Sequence, residues 1–121
     1  INSPQPYNYG MECNAQEINA GTCPHQEPVF NPGGYSSFGH GTTVAGIACG
    51  DGSATGKYKG MAPKTEIIYV AINEQRNFLS AIVDAVDFIF KKADAIGKPC
   101  VINISYGTYF GSHDGIDLAS E

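Results

Sequence analysis

The chain has 121 residues, of which 42% are hydrophobic and 16% are charged, a size that suits one compact domain and is too small for two. Twelve acidic residues against seven basic ones give a net charge of −5. This charge disfavours binding to the phosphate backbone of a nucleic acid, because the sequence has no local basic patch to offset the repulsion. The apolar runs are too short or too interrupted by charge to span a bilayer, so we expect no nucleic-acid partner and no membrane span.

Residues 1–39 show neither helical nor alternating hydrophobic periodicity, and we predict an irregular, loop-rich segment there. Within it, Cys13 and Cys23 flank a polar loop, CNAQEINAGTC, which a local disulfide could close. Such a bridge indicates an exported protein. Two free thiols that never pair are an alternative that the sequence leaves open.

The ordered part of the chain begins with HGTTVAGIAC at residues 40–49, whose apolar positions fit a helix. Its glycine and alanine residues keep the surface small, so that another element can approach closely. We therefore expect a short buried helix. A glycine-rich loop, GDGSATGKYKG, follows it.

Two apolar runs and the segment between them define the predicted fold class. IIYVAI at 67–72 and CVINIS at 100–105 have the length and composition of strands buried on both faces, as in parallel sheets. Between them, apolar residues recur with a helical period from Phe78 to Ile96, which predicts an amphipathic helix that ends at Gly97. Strand, helix and strand form a βαβ unit, so we predict an α/β fold with a parallel sheet and flanking helices.

Candidate catalytic groups follow from this topology. In an open parallel sheet, ligands gather at the carboxyl ends of the strands, which here are the loops at 73–77 and 105–115. His40 is a further candidate because it begins a helix between two glycines, where the helix dipole disfavours the charged imidazole. A neutral histidine near pH 7 suits a general base. From position alone, a capping or packing role for His40 is an equal alternative.

Three blocks of the sequence resemble, in order, a known enzyme family. GHGTTVAGI at 39–47 is similar to the histidine signature of the subtilisin-like serine proteases (subtilases, peptidase S8 family), and KYKGMAPKTEIIYVAI at 57–72 resembles the stretch that follows it. VINISYG at 101–107 resembles the substrate-binding strand of the family. The resemblance implies a subtilisin-like three-layer α/β/α domain, of which residues 40–121 are an incomplete, central part.

The resemblance also implies roles for individual residues. His40 would be the catalytic base of a serine endopeptidase, taking a proton from a serine hydroxyl and returning it to the leaving amine. Ser105, Tyr106 and Gly107 would line the cleft and pair through their backbone with an extended peptide. Side-chain preference would come from Tyr106 and the 73–78 loop. A plain strand end and turn is the alternative for Ser105 and Gly107.

The sequence departs from the family pattern in its other catalytic motifs. Residues 1–39 contain no aspartate, and no Gly-Thr-Ser motif follows residue 107. We therefore expect a fragment that lacks the catalytic Asp and Ser, is inactive alone, and has as partners a peptide or protein substrate and the remaining segments of the peptidase domain. We expect a secreted, cell-surface or periplasmic location. A catalytically inactive peptide-binding or structural relative is the alternative hypothesis.

Metal sites find little support in the sequence. Cys13, Cys23, His25 and His40 match no paired zinc-ligand spacing, so we predict no metal site. Asp51 stands in a loop of the kind where the family often holds calcium, but a single carboxylate indicates a solvated turn. We expect the chemistry to require no cofactor. Structural calcium in the full domain is an alternative that the sequence leaves open.

Overall fold

A computed structural model describes residues 3–25, 39–73, 78–107 and 113–116. The chain divides into an N-terminal unit of residues 1–36 and a second unit of residues 37–121. The described ranges contain three α-helices, α1 (Ala15–Asn19), α2 (His40–Cys49) and α3 (Phe78–Ala95). None of these three is both long enough and apolar enough to cross a membrane.

The N-terminal unit is organised around a disulfide and a short helix. Cys13 is bonded to Cys23, so the bridge that the sequence allowed is present. Asn14 caps α1, because its Oδ1 accepts hydrogen bonds from the backbone N–H groups of Gln16 and Glu17 at 2.9 and 3.0 Å. In return, the Glu17 carboxylate accepts a bond from the Asn14 N–H at 2.8 Å. This capping box stabilises α1. The sequence did not predict this helix, because the segment lacks apolar periodicity.

Helix α2 begins at His40, as predicted, and the loop that follows caps its last turn. The carbonyl oxygens of Ile47 and Ala48 accept hydrogen bonds from the N–H groups of Met61 and Ala62 at 3.1 and 2.8 Å. These bonds satisfy acceptors that a free helix end leaves to water. The prediction that α2 is buried is wrong, because none of its residues is buried and Ile47 is exposed. Its small side chains offer little apolar area to bury.

Helix α3 confirms the predicted amphipathic helix in position and length. Gly97, with φ at 66°, follows its C-terminus in the left-handed conformation that commonly ends helices. On the exposed side, Lys91 and Asp87 form an ion pair one turn apart with a 2.6 Å separation. The buried residues are the small Ala85 and Ala93, the latter 4% exposed. Four larger apolar side chains of this region stay exposed: Leu79, Val83, Phe90 and Ile96.

The predicted parallel sheet is wrong, since the described residues contain no strand. Segments 67–72 and 100–105 have the composition of strands, yet Ile67 is 57% exposed and Val101 is 97% exposed. Such a composition favours a half-buried pleated surface, but a strand forms only where a neighbouring backbone supplies the ladder of hydrogen bonds. No backbone hydrogen bond joins these two segments, both of which are described. The βαβ unit and the α/β/α layers are therefore not seen in the described ranges.

Candidate functional site

His40 is the first residue of α2, and its side chain is exposed to solvent. The preceding residue, Gly39, has φ at 83°, a conformation that favours glycine, and its carbonyl accepts a hydrogen bond from the Thr43 N–H at 2.8 Å. Within the described ranges, no hydrogen bond or ion pair engages the imidazole of His40. The ring is accordingly accessible from solvent to a group with which it could exchange a proton.

Tyr69 lies against the backbone beside this histidine. A methyl group built on Gly41, the next residue of α2, would lie 2.5 Å from the hydroxyl oxygen of Tyr69 and 3.5 Å from its Cζ. Only a residue without a side chain allows the phenol to come this close. The sequence placed Tyr69 in a strand and gave it no functional role. The sequence signal for the contact is the glycine that immediately follows the histidine.

The predicted substrate edge, residues 105–107, is exposed throughout. The Oγ of Ser105 accepts a hydrogen bond from Asn103 Nδ2 at 2.9 Å. The ring of Tyr106 lies against that of Phe78, the first residue of α3, with centroids 4.3 Å apart and planes inclined by 46°. This contact joins the predicted substrate edge to Phe78, the last residue of the 73–78 loop. Residues 74–77 of that loop lie outside the described residues.

The structure thus brings Tyr106 to Phe78, and Tyr69 to the first turn of α2. No hydrogen bond, ion pair or ring contact joins His40 to the 105–107 segment among the residues described. The catalytic role of His40 and the substrate role of Ser105, Tyr106 and Gly107 stay predictions.

A solvent-open groove of about 540 Å³ lies between α2 and the glycine-rich loop that follows it. Its lining comes from the middle and last turns of the helix and from residues 50–55, 57–59 and 61. Tyr58, which lines it, is 85% exposed and has φ at 54°, an uncommon conformation for a residue with a side chain. His40 does not line the groove, so the groove is separate from the candidate catalytic group.

No group of three or more His, Cys, Asp or Glu side chains suited to a metal ion occurs in the described part of the chain. The bridge between Cys13 and Cys23 removes two members of the zinc set considered from the sequence, because metal ligation requires free thiolates. Asp51 lies in a turn where its Oδ1 accepts a hydrogen bond from the Ser53 N–H at 2.8 Å. This bond lowers the pKa of the Asp51 carboxyl, with a smaller contribution from the charge of Lys59.

Comparison with known proteins gives the class to which the chain belongs. Residues 17–119 match the sequence model of the subtilase family, peptidase S8. The matched range contains the histidine block, the apolar runs and the 105–107 segment. The chain belongs to the subtilase family. No solved structure matches it.

Proposed function

We propose that this chain supplies the general base and one edge of the substrate cleft of a subtilisin-like serine endopeptidase. In this proposal, His40 takes the proton of a serine hydroxyl while the serine oxygen attacks the peptide carbonyl. His40 later gives that proton to the leaving amine. The observation that carries the proposal is the exposed, unengaged imidazole at the start of α2 in a member of the subtilase family. A base needs this accessibility to reach the proton that it abstracts.

The substrate class is an extended peptide. The main chain of residues 105–107 is exposed, and its N–H and C=O groups are suited to pair with a peptide backbone. Such pairing recognises the main chain of the peptide first and its side chains second. Beside this edge, the rings of Tyr106 and Phe78 form an aromatic surface. An aromatic surface of this kind favours an apolar substrate side chain over an acidic one.

The remaining catalytic groups are proposed to come from other segments of the peptidase domain. Residues 1–39 contain no aspartate to orient the imidazole, and no Gly-Thr-Ser nucleophile motif follows residue 107. Without a nucleophile no acyl-enzyme forms, and uniform binding of a peptide does not accelerate its hydrolysis. The chain of residues 1–121 is therefore expected to bind peptide without turning it over.

The test compares the 121-residue chain with the natural gene product that carries it, using a fluorogenic peptide with an apolar residue before the scissile bond. We expect turnover by the gene product, its loss in His40→Ala, and normal turnover in His25→Ala, which removes an exposed histidine of the N-terminal unit. We expect none from the 121-residue chain. Full activity of the His40→Ala gene product would overturn the proposal.

A peptide-binding relative without catalytic activity is the second candidate. The exposed edge at 105–107 and the aromatic pair of Tyr106 and Phe78 would serve binding alone equally well. Under this hypothesis, fluorescence anisotropy should show that the gene product binds the peptide and that His40→Ala leaves the affinity unchanged. Absence of labelling by an active-site-directed fluorophosphonate would favour it over the peptidase.

We further propose that the protein is exported. The disulfide between Cys13 and Cys23 supports this, because such bridges persist in oxidising compartments. The proposed chemistry takes no cofactor. Structural calcium in the full domain would appear as a lower melting temperature in EDTA with unchanged kcat at low temperature.

A further inference from the structure

The groove between α2 and the loop that follows it is built on a main chain held by hydrogen bonds. The Met61 N–H donates to the Ile47 carbonyl at 3.1 Å, which brings the end of the loop back to the helix. Within the loop, the Thr55 hydroxyl donates to the Lys57 carbonyl at 3.1 Å and accepts a bond from the Lys57 N–H at 3.2 Å. The backbone on both sides of Tyr58 is therefore held, whichever way the exposed side chains turn.

Three large apolar side chains stand along this groove in contact with solvent. Ile47, Tyr58 and Met61 all line it and are all exposed, Met61 by 89%. Apolar side chains gathered at one concave surface favour a partner that covers them, because each square ångström removed from water is stabilising. The volume of about 540 Å³ lies within the usual range of ligand sites.

Two cations flank the exposed ring. Lys57 and Lys59 stand on either side of Tyr58 in the chain, and both line the groove and are exposed. Neither ammonium group forms an ion pair with any residue that the structure describes. The single carboxylate of the lining, that of Asp51, already accepts a hydrogen bond from the Ser53 N–H at 2.8 Å. With two lysines against one aspartate the groove is locally positive, although the whole chain carries a net charge of −5.

We propose that this groove docks an acidic peptide segment of a partner protein. An apolar side chain of the segment would lie against Ile47, Tyr58 and Met61, and carboxylates on either side of it would pair with the ammonium groups of Lys57 and Lys59. Charge complementarity selects this occupant, because the exposed cations attract carboxylates at the groove whereas the net charge of −5 disfavours an acidic partner elsewhere on the chain.

Fluorescence anisotropy on the natural gene product tests the docking. The probe is a short peptide with one phenylalanine between runs of aspartate, labelled with a neutral dye. One control peptide has lysine for every aspartate, and the other has alanine for the phenylalanine. The host protein carries His40→Ala, so that no turnover of the probe intervenes; His40 does not line the groove, and the result is therefore independent of the proposed function. We expect the probe to bind more tightly than either control, and its affinity to fall as salt is added.

Variants at the groove locate the binding. Lys57→Ala and Lys59→Ala should each lower the affinity for the probe by roughly 2- to 5-fold, the usual effect of an exposed ion pair. Lys64→Ala is the matched control, because Lys64 is exposed but does not line the groove. Tyr58→Asn should lower the affinity by about 10-fold, since asparagine tolerates the positive φ but lacks the ring. Tyr69→Asn, at an exposed tyrosine outside the groove, should change nothing.

Nitration of the Tyr58 ring by tetranitromethane separates the other possible occupants. We expect fast nitration in the free protein and slower nitration when the probe is bound. Slow nitration at every protein concentration would mean that another segment of the same polypeptide fills the groove, and slow nitration at high concentration alone would mean that a second copy does. Either result would overturn the proposal, as would equal affinity for the acidic and basic peptides or an equal loss in Lys64→Ala.

Discussion

The backbone N–H of Gly60 donates a hydrogen bond to the carbonyl oxygen of Gly50 at 2.7 Å, where the loop after α2 returns to the end of that helix. A Cβ on Gly60 would lie 2.7 Å from the Gly50 nitrogen and 2.8 Å from the Cys49 nitrogen and the Gly46 oxygen. All three neighbours are backbone atoms, which cannot rotate away as a side chain can. The loop can cap the helix only while position 60 lacks a side chain.

Gly60→Ala is therefore expected to destabilise the second unit by about 1–3 kcal/mol, the usual cost of forcing a methyl group into filled space. The midpoint of urea unfolding, followed by far-ultraviolet circular dichroism, measures this. Gly46→Ala is the control, since a Cβ there meets nothing within 4 Å and alanine is the better helix former by up to about 1 kcal/mol. Equal midpoints for the two variants would contradict the close approach at Gly60.

The cap of α1 gives a second prediction. Asn14→Ala removes the oxygen that accepts bonds from the first turn, so we expect a loss of about 1 kcal/mol in local stability and faster amide exchange at Gln16 and Glu17. Asn19→Ala is the matched control, because the Asn19 side chain makes no hydrogen bond within the described ranges. If the amides of Gln16 and Glu17 exchange at the same rate in both alanine variants, the cap does not stabilise the helix.

Asp51 gives a prediction for pH. The hydrogen bond from the Ser53 N–H lowers the pKa of its carboxyl in the folded chain below the ordinary value of about 3.9. The ionised carboxylate therefore stabilises the turn at any pH above the ordinary pKa. This stabilisation is lost as the pH falls through the lower pKa of the folded chain. A carbon-detected NMR titration of the carboxyl should give a midpoint below that of a free aspartate. Asp51→Asn, which cannot ionise, should remove this pH dependence of the turn, and an unchanged dependence would contradict the assignment.

The cysteines divide into two classes. Cys13 and Cys23 are bonded to each other, whereas Cys49 and Cys100 are free and half-buried. Alkylation of the unfolded chain without reductant should label the second pair alone, and prior reduction should expose the first. Reduction should also destabilise the N-terminal unit by roughly 3 kcal/mol or less, because the loop that it opens is short. Labelling of all four without reductant, read by mass spectrometry, would contradict the bridge.

Local patterns predicted the helices better than the sheet, for a physical reason. The hydrogen bonds of α3 join residues one turn apart, so the apolar period from Phe78 onward carried nearly all the information needed. Helix α1 was missed because its signal is a capping box of Asn14 and Glu17 and not an apolar stripe. The segment 67–72 was wrongly predicted as a strand because its composition cannot say whether a neighbouring backbone is present.

For the candidate site, the sequence predicted individual residues but not the contacts between them. The sequence selected His40 and correctly began a helix there, and the family match covers that block. It did not foresee the contact between Tyr69 and Gly41, since those positions are distant in the chain and only the folded backbone brings them together. The contact of Tyr106 with Phe78 was not predicted either, since the resemblance named Tyr106 and the 73–78 loop only as separate contributors to side-chain preference.

Helix α2 is held at its C-terminal end by the chain that follows it. Its last carbonyls accept bonds from Met61 and Ala62, whereas the Tyr69 side chain beside its first turn is 60% exposed and can rotate away. A ligand or neighbouring segment that displaces residues 61 and 62 should consequently shift the C-terminal end of the helix and, through the hydrogen bonds along the helix, its His40 end as well.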